Sequence, residues 1–397
     1  MKLRKLALLC ALIPSFFAYS GQEYYEARSD AMGGAGVASS NNEGAAFVNP
    51  ALLGLNAHKD NSAVLLMPVL GVDMADSDNM IDKFDSLISS YDGLAAAIDA
   101  GNSADIDIYR DDLILDLESL KGTSAYASAG LGFSVAIPHQ RMPMAIFYKS
   151  YVSAIGVADI AQSDIDTLAN LDANNPPAVT DLASSGQVIG GAVSDLGIAL
   201  SFPLSIVNMP ISVGISPKFQ RIDTYNYRAS ANNFSASDFD DVEYRNDETS
   251  FNVDVGVAIE PINGLVFGLS GRNLISQDVD TIEVEGQKFT YRVEPLVTAG
   301  VAYDWRLLTV TTDVDLIENK KFKELDGTQY WRVGGEVRAF DWMSLRVGYR
   351  HDMKDSTANI YSIGSGFAFG ESFFLDFTGM FGSDEAIGGV LQTSYHF

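Results

Sequence analysis

His58, His139, His351 and His396 are the only histidines of this chain, and histidine is the side chain best suited to move protons or hold a metal near neutral pH. None of them stands in an HxxxH or HExxH spacing, and no Gly-x-Ser-x-Gly elbow offers an activated serine. Asp238, Asp240, Asp241 and Glu243 could hold calcium, but they lack the ligand and glycine spacing of an EF-hand and read as solvated loop carboxylates. Gly33-Gly34-Ala35-Gly36 has the glycine content of a phosphate loop without a preceding apolar strand or the GxGxxG spacing. The single cysteine, Cys10, excludes a disulfide framework and cysteine metal sites. These residues predict no catalysis, no metal and no cofactor. The formal charge of −26 also predicts that nucleic acid is repelled.

A second set of side chains has a more regular spacing. Asp254, Asp313, Asp315, Arg332, Glu336, Arg338, Arg346, Arg350 and Asp376 fall on alternate positions of otherwise apolar segments. Such charges could pair across a buried interior or line a selective path, and mutual pairing is the expected role, because an unpaired buried charge is costly.

The elements that would position them are β-strands. Trp331, Val333, Val337 and Ala339 alternate with Arg332, Glu336 and Arg338, and Leu345, Val347 and Tyr349 with Arg346 and Arg350. Phe373, Leu375 and Phe377 share one parity opposite Asp376, and Phe251, Val253, Val255 and Val257 oppose Asp254. Side chains switch faces at every strand residue, so each segment has one oily and one polar face. Further candidates at 62–72, 125–137, 142–157, 187–202, 209–227, 264–271, 288–305 and 358–369 bring the count to about 14 strands. Ile262-Asn263-Gly264 and Asp326-Gly327 read as tight turns. A soluble β-sandwich would share this period. A run of oily strand faces in a chain without an 18-residue apolar helix favours a closed barrel, in which every backbone group is satisfied within lipid.

The ends of the chain point the same way. Lys2, Arg4 and Lys5 precede the apolar run Leu6 to Ile13 and the small exit Ala18-Tyr19-Ser20, the layout of a secretory signal peptide over residues 1–20. Its removal would take the charge from −26 to −29, as those three cations leave. At the other end Ile387, Leu391, Tyr395 and Phe397 share one face of a last strand. Outer-membrane barrels resemble this, and the resemblance implies that Tyr395 and Phe397 close the barrel and are read by the barrel-insertion machinery.

Two regions depart from plain alternation. From about 77 to 120, Ile81, Phe84, Ile88, Tyr91, Leu94 and Ile98, then Leu113, Leu117 and Leu120, recur every three or four positions in a densely acidic background, which predicts amphipathic helices. A weaker helical stretch covers 159–172. These are expected as loop insertions on the rim or mouth of the barrel, with a lid over a ligand path as the sharper reading. They are expected on the outer side of the membrane, where barrels carry their long loops. Residues 21–60 are rich in small side chains, so they can be threaded through a confined space such as a lumen.

Ala31-Met32-Gly33-Gly34-Ala35-Gly36-Val37-Ala38 and Ala46-Phe47-Val48-Asn49-Pro50-Ala51-Leu52-Leu53 resemble the N-terminal signature of the FadL-type outer-membrane superfamily, the long-chain fatty acid transporters. Gly271-Arg272-Asn273-Leu274-Ile275, Thr312-Asp313-Val314-Asp315-Leu316 and Leu345-Arg346-Val347-Gly348-Tyr349-Arg350 resemble, within it, a branch of conjugal transfer TraF-like proteins. The resemblance implies a transmembrane antiparallel β-barrel over residues 61–397, plugged by residues 21–60. Asn49, Pro50 and Ala51 would belong to the hatch, and Gly33, Gly34 and Gly36 would supply its small, flexible backbone. It further implies contact with outer-membrane lipid and the binding or passage of a small apolar ligand. The alternative is a non-transporting component that docks proteins of a conjugation or secretion apparatus in the envelope.

Overall fold

The computed structural model describes residues 23–57, 62–76, 78–174, 176, 182–206, 209–234, 241–383 and 385–397. The signal segment 1–20 with Cys10, as well as His58, Asp238 and Asp240, lies outside them.

Fourteen strands among the described residues close into one antiparallel barrel. They are β1 Val64–Ala75, β2 Ser124–Ile137, β3 Met144–Asp159, β4 Ser185–Ile206, β5 Met209–Ser230, β6 Arg245–Ile262, β7 Leu265–Arg272, β10 Leu296–Trp305, β11 Leu308–Asp315, β12 Tyr330–Phe340, β13 Met343–Asp352, β14 Ile360–Phe369, β15 Phe373–Gly382 and β16 Ile387–His396. Each pairs with its neighbours in the chain, β7 with β10 across an excursion, and β1 closes on β16 with Val64 opposite His396 and Met74 opposite Ile387. Closure leaves no strand edge unpaired, the condition for a sheet to sit in lipid.

The alternation read from the sequence is the alternation of the wall. Leu345, Val347, Phe377 and Leu391 are exposed on the outside, whereas Arg346, Arg350, Asp376 and Gln392 are buried inside. Exposed Trp305, Phe340, Trp342 and Phe369 cluster around one end, the position of an interfacial aromatic girdle. No helix among the described residues is long and apolar enough to cross a membrane. The connections at the girdle end are short and those at the other end, apart from β15–β16, are longer, the layout in which short turns face the periplasm.

Local chemistry decides where the strands stop. Gly264, at φ +87°, closes the β6–β7 turn where the backbone passes directly under the carbonyl of Asp304, a conformation and an approach that only glycine tolerates well. Two expected features differ. Asp326-Gly327 is no hairpin turn; it lies in a long connection, 316–329, that folds back on itself with Asn319 paired to Thr328. The stretch 288–305 is not one strand, because Glu294-Pro295 interrupts it, proline having no N–H for a ladder. Its first part, β9 Thr290–Val293, leaves the barrel to pair with β8 Gln277–Asp280.

The wall is uneven in height. β4 and β5 have 22 residues each and β11 has 8, so one side rises well above the lipid-facing belt. There the outward parity no longer meets lipid, and something else must cover it. Three helices do so: α4 Met80–Ala100, α5 Ser103–Leu120 and α6 Gln162–Ala169. Their apolar faces form one core with Ala154, Val188 and Tyr227 of the wall, and Phe84 stacks on Phe234, which also meets Tyr227. The helices expected at 77–120 and 159–172 are therefore present, and they coat the outside of the raised wall. The inner side of the same wall takes the β8–β9 ribbon. Asn226 Nδ2 donates to the carbonyls of Ile282 and Gln287, both at 3.0 Å, and Tyr291 is buried edge-on to Phe322.

This assignment of faces predicts a contrast between two exposed apolar positions. Val347, 61% exposed in the belt, should lose about 2–4 kcal/mol of folding free energy in lipid vesicles on substitution by arginine. Leu115→Arg, at a site 63% exposed on α5, should change it by less than about 0.5 kcal/mol. Urea titrations of refolding into vesicles measure both.

Candidate functional site: the plug and its socket

Residues 23–57 lie inside the barrel, and nearly all of them are buried. α1 Ala27–Ala31 packs on β13 to β16, whereas α3 Ala51–Asn56 packs on β4 to β6 across the lumen, with α2 Ala45–Val48 against β3. A segment this wide fits only because both surfaces are small. Gly33, at φ +73°, lies so close to the wall that a Cβ would stand 2.6 Å from the carbonyl oxygen of Tyr349. The wall answers with its own glycines. A side chain at Gly348 would overlap Gly33, one at Gly334 would overlap Met32, one at Gly256 Asn49, one at Gly214 Pro50 and Ala51, and one at Gly268 Val37. Of the three plug glycines singled out from the sequence, Gly33 and Gly34 have positive φ; Gly36 does not, and its missing side chain leaves room for the Ser29 hydroxyl.

Asn49, Pro50 and Ala51, expected from the resemblance to belong to a hatch, stand at the start of α3. Asn49 is fully buried, its Nδ2 donates 2.8 Å to the Val37 carbonyl and its Oδ1 accepts the Ala51 N–H at 3.1 Å. Pro50, at φ −61°, stands at the N-cap, where its missing N–H costs nothing. The wall supplies side-chain partners for the plug backbone. Ser270 Oγ donates to the Val48 carbonyl at 2.7 Å, Thr378 Oγ1 to that of Ala27 at 2.6 Å, and the Gly54 N–H donates to Ser201 Oγ at 3.0 Å.

The alternating charges converge on the same place. Asp313 accepts the N–H groups of Gly36 and Val37 at 2.7 and 2.9 Å. Arg332 grips Asp315 with two bonds of 2.7 and 2.9 Å. Glu336 takes Arg28 of the plug at 2.9 Å and Arg346 of the wall at 2.8 Å, and Arg346 also pairs with Asp376. Asp254 receives Lys218 at 2.9 Å and the Asn273 N–H at 2.7 Å, and buried Arg350 lies over the Tyr330 ring at 5.2 Å. Arg338 differs from the rest: it stands at the short-turn rim, about a third exposed, 3.1 Å from Asp304. Tyr395 and Phe397 face outward with rings 5.2 Å apart, and Phe397 exchanges backbone bonds with Ala63.

Several partners escaped the sequence reading. Plug residue Glu43 accepts from Ser394 Oγ at 2.8 Å and Gln392 Nε2 at 3.0 Å, with His396 Nε2 at 2.8 Å. Glu23 meets Asn273 at 3.1 Å, Arg272 at 3.4 Å and Lys321 at 4.0 Å. Lys321 descends from the connection 316–329 to donate 2.8 Å to the Tyr151 hydroxyl. Burial pushes its ammonium down to about 8, although Glu23 pulls the other way. Asp195, Lys149 and Lys218 were visible as polar positions on inward parity, but nothing in the chain paired them. The other two described histidines serve local roles, His139 as acceptor in a turn and His351 beside Asn359. Among the described residues no group of three acidic, histidine or cysteine side chains could hold a metal ion.

Two spaces border the plug. Beside Val37 and Val48 the cavity between plug and wall is about 30 Å³, room for water rather than for a ligand. Toward the short-turn end a cavity of about 370 Å³ opens between the plug and the wall from β7 to β16, lined by charged and amide side chains together with apolar ones such as Leu52, Trp342 and Phe374.

If the glycine contacts seat the plug, filling one should unseat it. Gly348→Val should cost about 1–3 kcal/mol, as overpacking does, and make residues 23–57 sensitive to added protease. Gly379→Val, where a Cβ meets nothing within 4 Å, should change neither property. A thermal melt and limited proteolysis of the pair are sufficient to decide.

Known proteins match this architecture. A family model described as the TraF protein of the F plasmid transfer operon matches residues 46–315. Among solved structures, the Ralstonia pickettii toluene transporter TbuX aligns at TM-score 0.54 and 10% identity, over 96% of this chain and 100% of its own. A Pseudomonas aeruginosa FadL homologue aligns at 0.51 and 12%, over 97% and 99%, and the TodX deltaS2S3 mutant monoaromatic hydrocarbon channel at 0.51 and 11%, over 94% and 98%. No curated protein matches the chain. At such identities the solved structures share the fold, a β-barrel of the bacterial outer membrane. With well over half of its length matched by the family model, the chain belongs to the TraF family of the F plasmid transfer operon.

Proposed function

We propose that this protein is a closed component of the outer-membrane envelope, part of a conjugation or secretion apparatus, and that it holds its plug in place while partner proteins dock on the parts of the chain beyond the lipid belt. The observation that carries the reading is the bonding of plug to wall. Arg28 is tied to Glu336, Glu43 to β16, and Gly36 and Val37 to Asp313, while the cavity beside Val37 and Val48 is too small for an apolar ligand. Buried pairs of this kind are expensive to break one partner at a time, about 3–5 kcal/mol each. The family match supports the apparatus, since its description is that of a transfer-operon protein. No catalytic role is assigned.

A second reading is favoured by the fold. The solved structures that share it include, by their names, a toluene transporter and a monoaromatic hydrocarbon channel. On that reading the plug moves and a small apolar molecule passes between plug and wall.

Deletion in the native host separates the two. The apparatus reading expects plasmid transfer or secretion to fall while uptake of radiolabelled toluene is unchanged, and it expects crosslinked envelope proteins to be recovered with the barrel. Loss of hydrocarbon uptake with transfer intact, together with a defined apolar molecule extracted from the folded protein, would overturn it in favour of transport.

A further inference from the structure

The 370 Å³ cavity at the short-turn end is the feature that plug and barrel leave unexplained. Interiors are packed with few voids larger than a water, and the space beside Val37 and Val48 follows that rule at about 30 Å³. An opening of this size, reached from solvent, has room for a small molecule (sites typically run about 300–1,000 Å³). Plug residues form one side of it and exposed Asp341 and Trp342 of the β12–β13 turn lie in its lining, so it opens at the short-turn end, the periplasmic side.

The lining defines the chemistry of the occupant. Five carboxylates face three guanidinium groups there, and each of the three is already committed. Arg28 is bound to Glu336, Arg346 to Glu336 and Asp376, and Arg338 to Asp304. An anion would find no free cation and a surplus of negative charge. On the carboxylate side there is capacity left: Asp341, at the exposed turn, forms no ion pair among the described residues, and Asp376 spends one oxygen on Arg346. Apolar side chains such as Leu52, Trp342 and Phe374 line the cavity beside the five carboxylates, a mixture that suits an organic cation, and among the described residues no group of three ligands converges for a bare metal ion.

We infer that this vestibule is a binding site for a small organic cation, a molecule carrying ammonium or guanidinium groups, which reaches it from the periplasm and is held between Asp341 at the mouth and Asp376 near the base. The inference rests on the cavity alone and stands whether the barrel is a docking component or a transporter.

The test is calorimetric titration of the purified full-length protein in detergent with spermidine as probe, and with citrate as the anionic control. Saturable binding of one spermidine, with no binding of citrate, is expected. Asp376→Asn and, at the exposed turn where folding is not at stake, Asp341→Asn should each weaken it by about tenfold, as the loss of a charge-assisted contact does. Ser344→Trp, which fills the cavity from the wall, should abolish it. Heat-modifiability on a gel confirms that each variant is folded. Absence of saturable binding would overturn the proposal. So would equal binding of citrate, or spermidine binding that survives Ser344→Trp, since it would then sit on the acidic helices.

Discussion

The structure depends on one steric constraint: a folded segment of 35 residues, 23–57, must share the lumen of a 14-stranded barrel with the barrel's own inward side chains. The conflict is resolved by removing those side chains where the two backbones meet. Gly214, Gly256, Gly268, Gly334 and Gly348 come from five different strands, and each lies against plug backbone or the Asn49 amide. Glycine in a strand interior normally weakens it through backbone entropy and lost packing. Here that loss is offset by a contact between two backbones that no other residue would permit.

Once the plug is seated, the electrostatics follow. Its N–H and carbonyl groups are withdrawn from water and need partners, and the polar parity of the wall supplies them through Asp313, Ser270, Thr378 and Ser201. The wall charges need partners in turn, which explains chains of alternating sign such as Arg28, Glu336, Arg346 and Asp376. The same logic governs the raised wall. Strand residues of lipid parity that stand above the lipid require another apolar cover, and α4 to α6 provide it while presenting an acidic outer face to water. The interior is thus closed by polar complementarity and the exterior by amphipathic cover.

Much of this was legible in the chain because strand and helix periods are local. Trp331 to Arg338 and Leu345 to Arg350 declare their faces without reference to any partner, as do Phe84, Leu94 and Leu113 on their helices. The charged positions declared that they faced inward for the same reason. What was not legible depends on contacts between distant parts of the chain. Glu43 and His396 are 353 positions apart, and neither carries a motif. The wall glycines fell on the polar parity and were read as strand positions, since nothing in Gly348 itself shows that Gly33 lies across from it. The departure of β9 from the barrel was signalled by Glu294-Pro295, but the alternation on both sides of the proline masked it. The helices were read correctly as helices, and their seat on the outer wall depended on strand heights that periodicity does not give.

The plug is as much a part of the folded core as the wall is. Hydrogen exchange followed by mass spectrometry on the protein in outer-membrane vesicles tests it most directly, because buried, bonded amides exchange only through opening. Peptides covering residues 27–55, including the Gly36 and Val37 amides bound to Asp313, should exchange as slowly as peptides of β12 and β13. Exchange of the plug peptides at the rate of an unstructured chain, with the strands still protected, would contradict the account and leave a barrel with a loosely held, mobile gate.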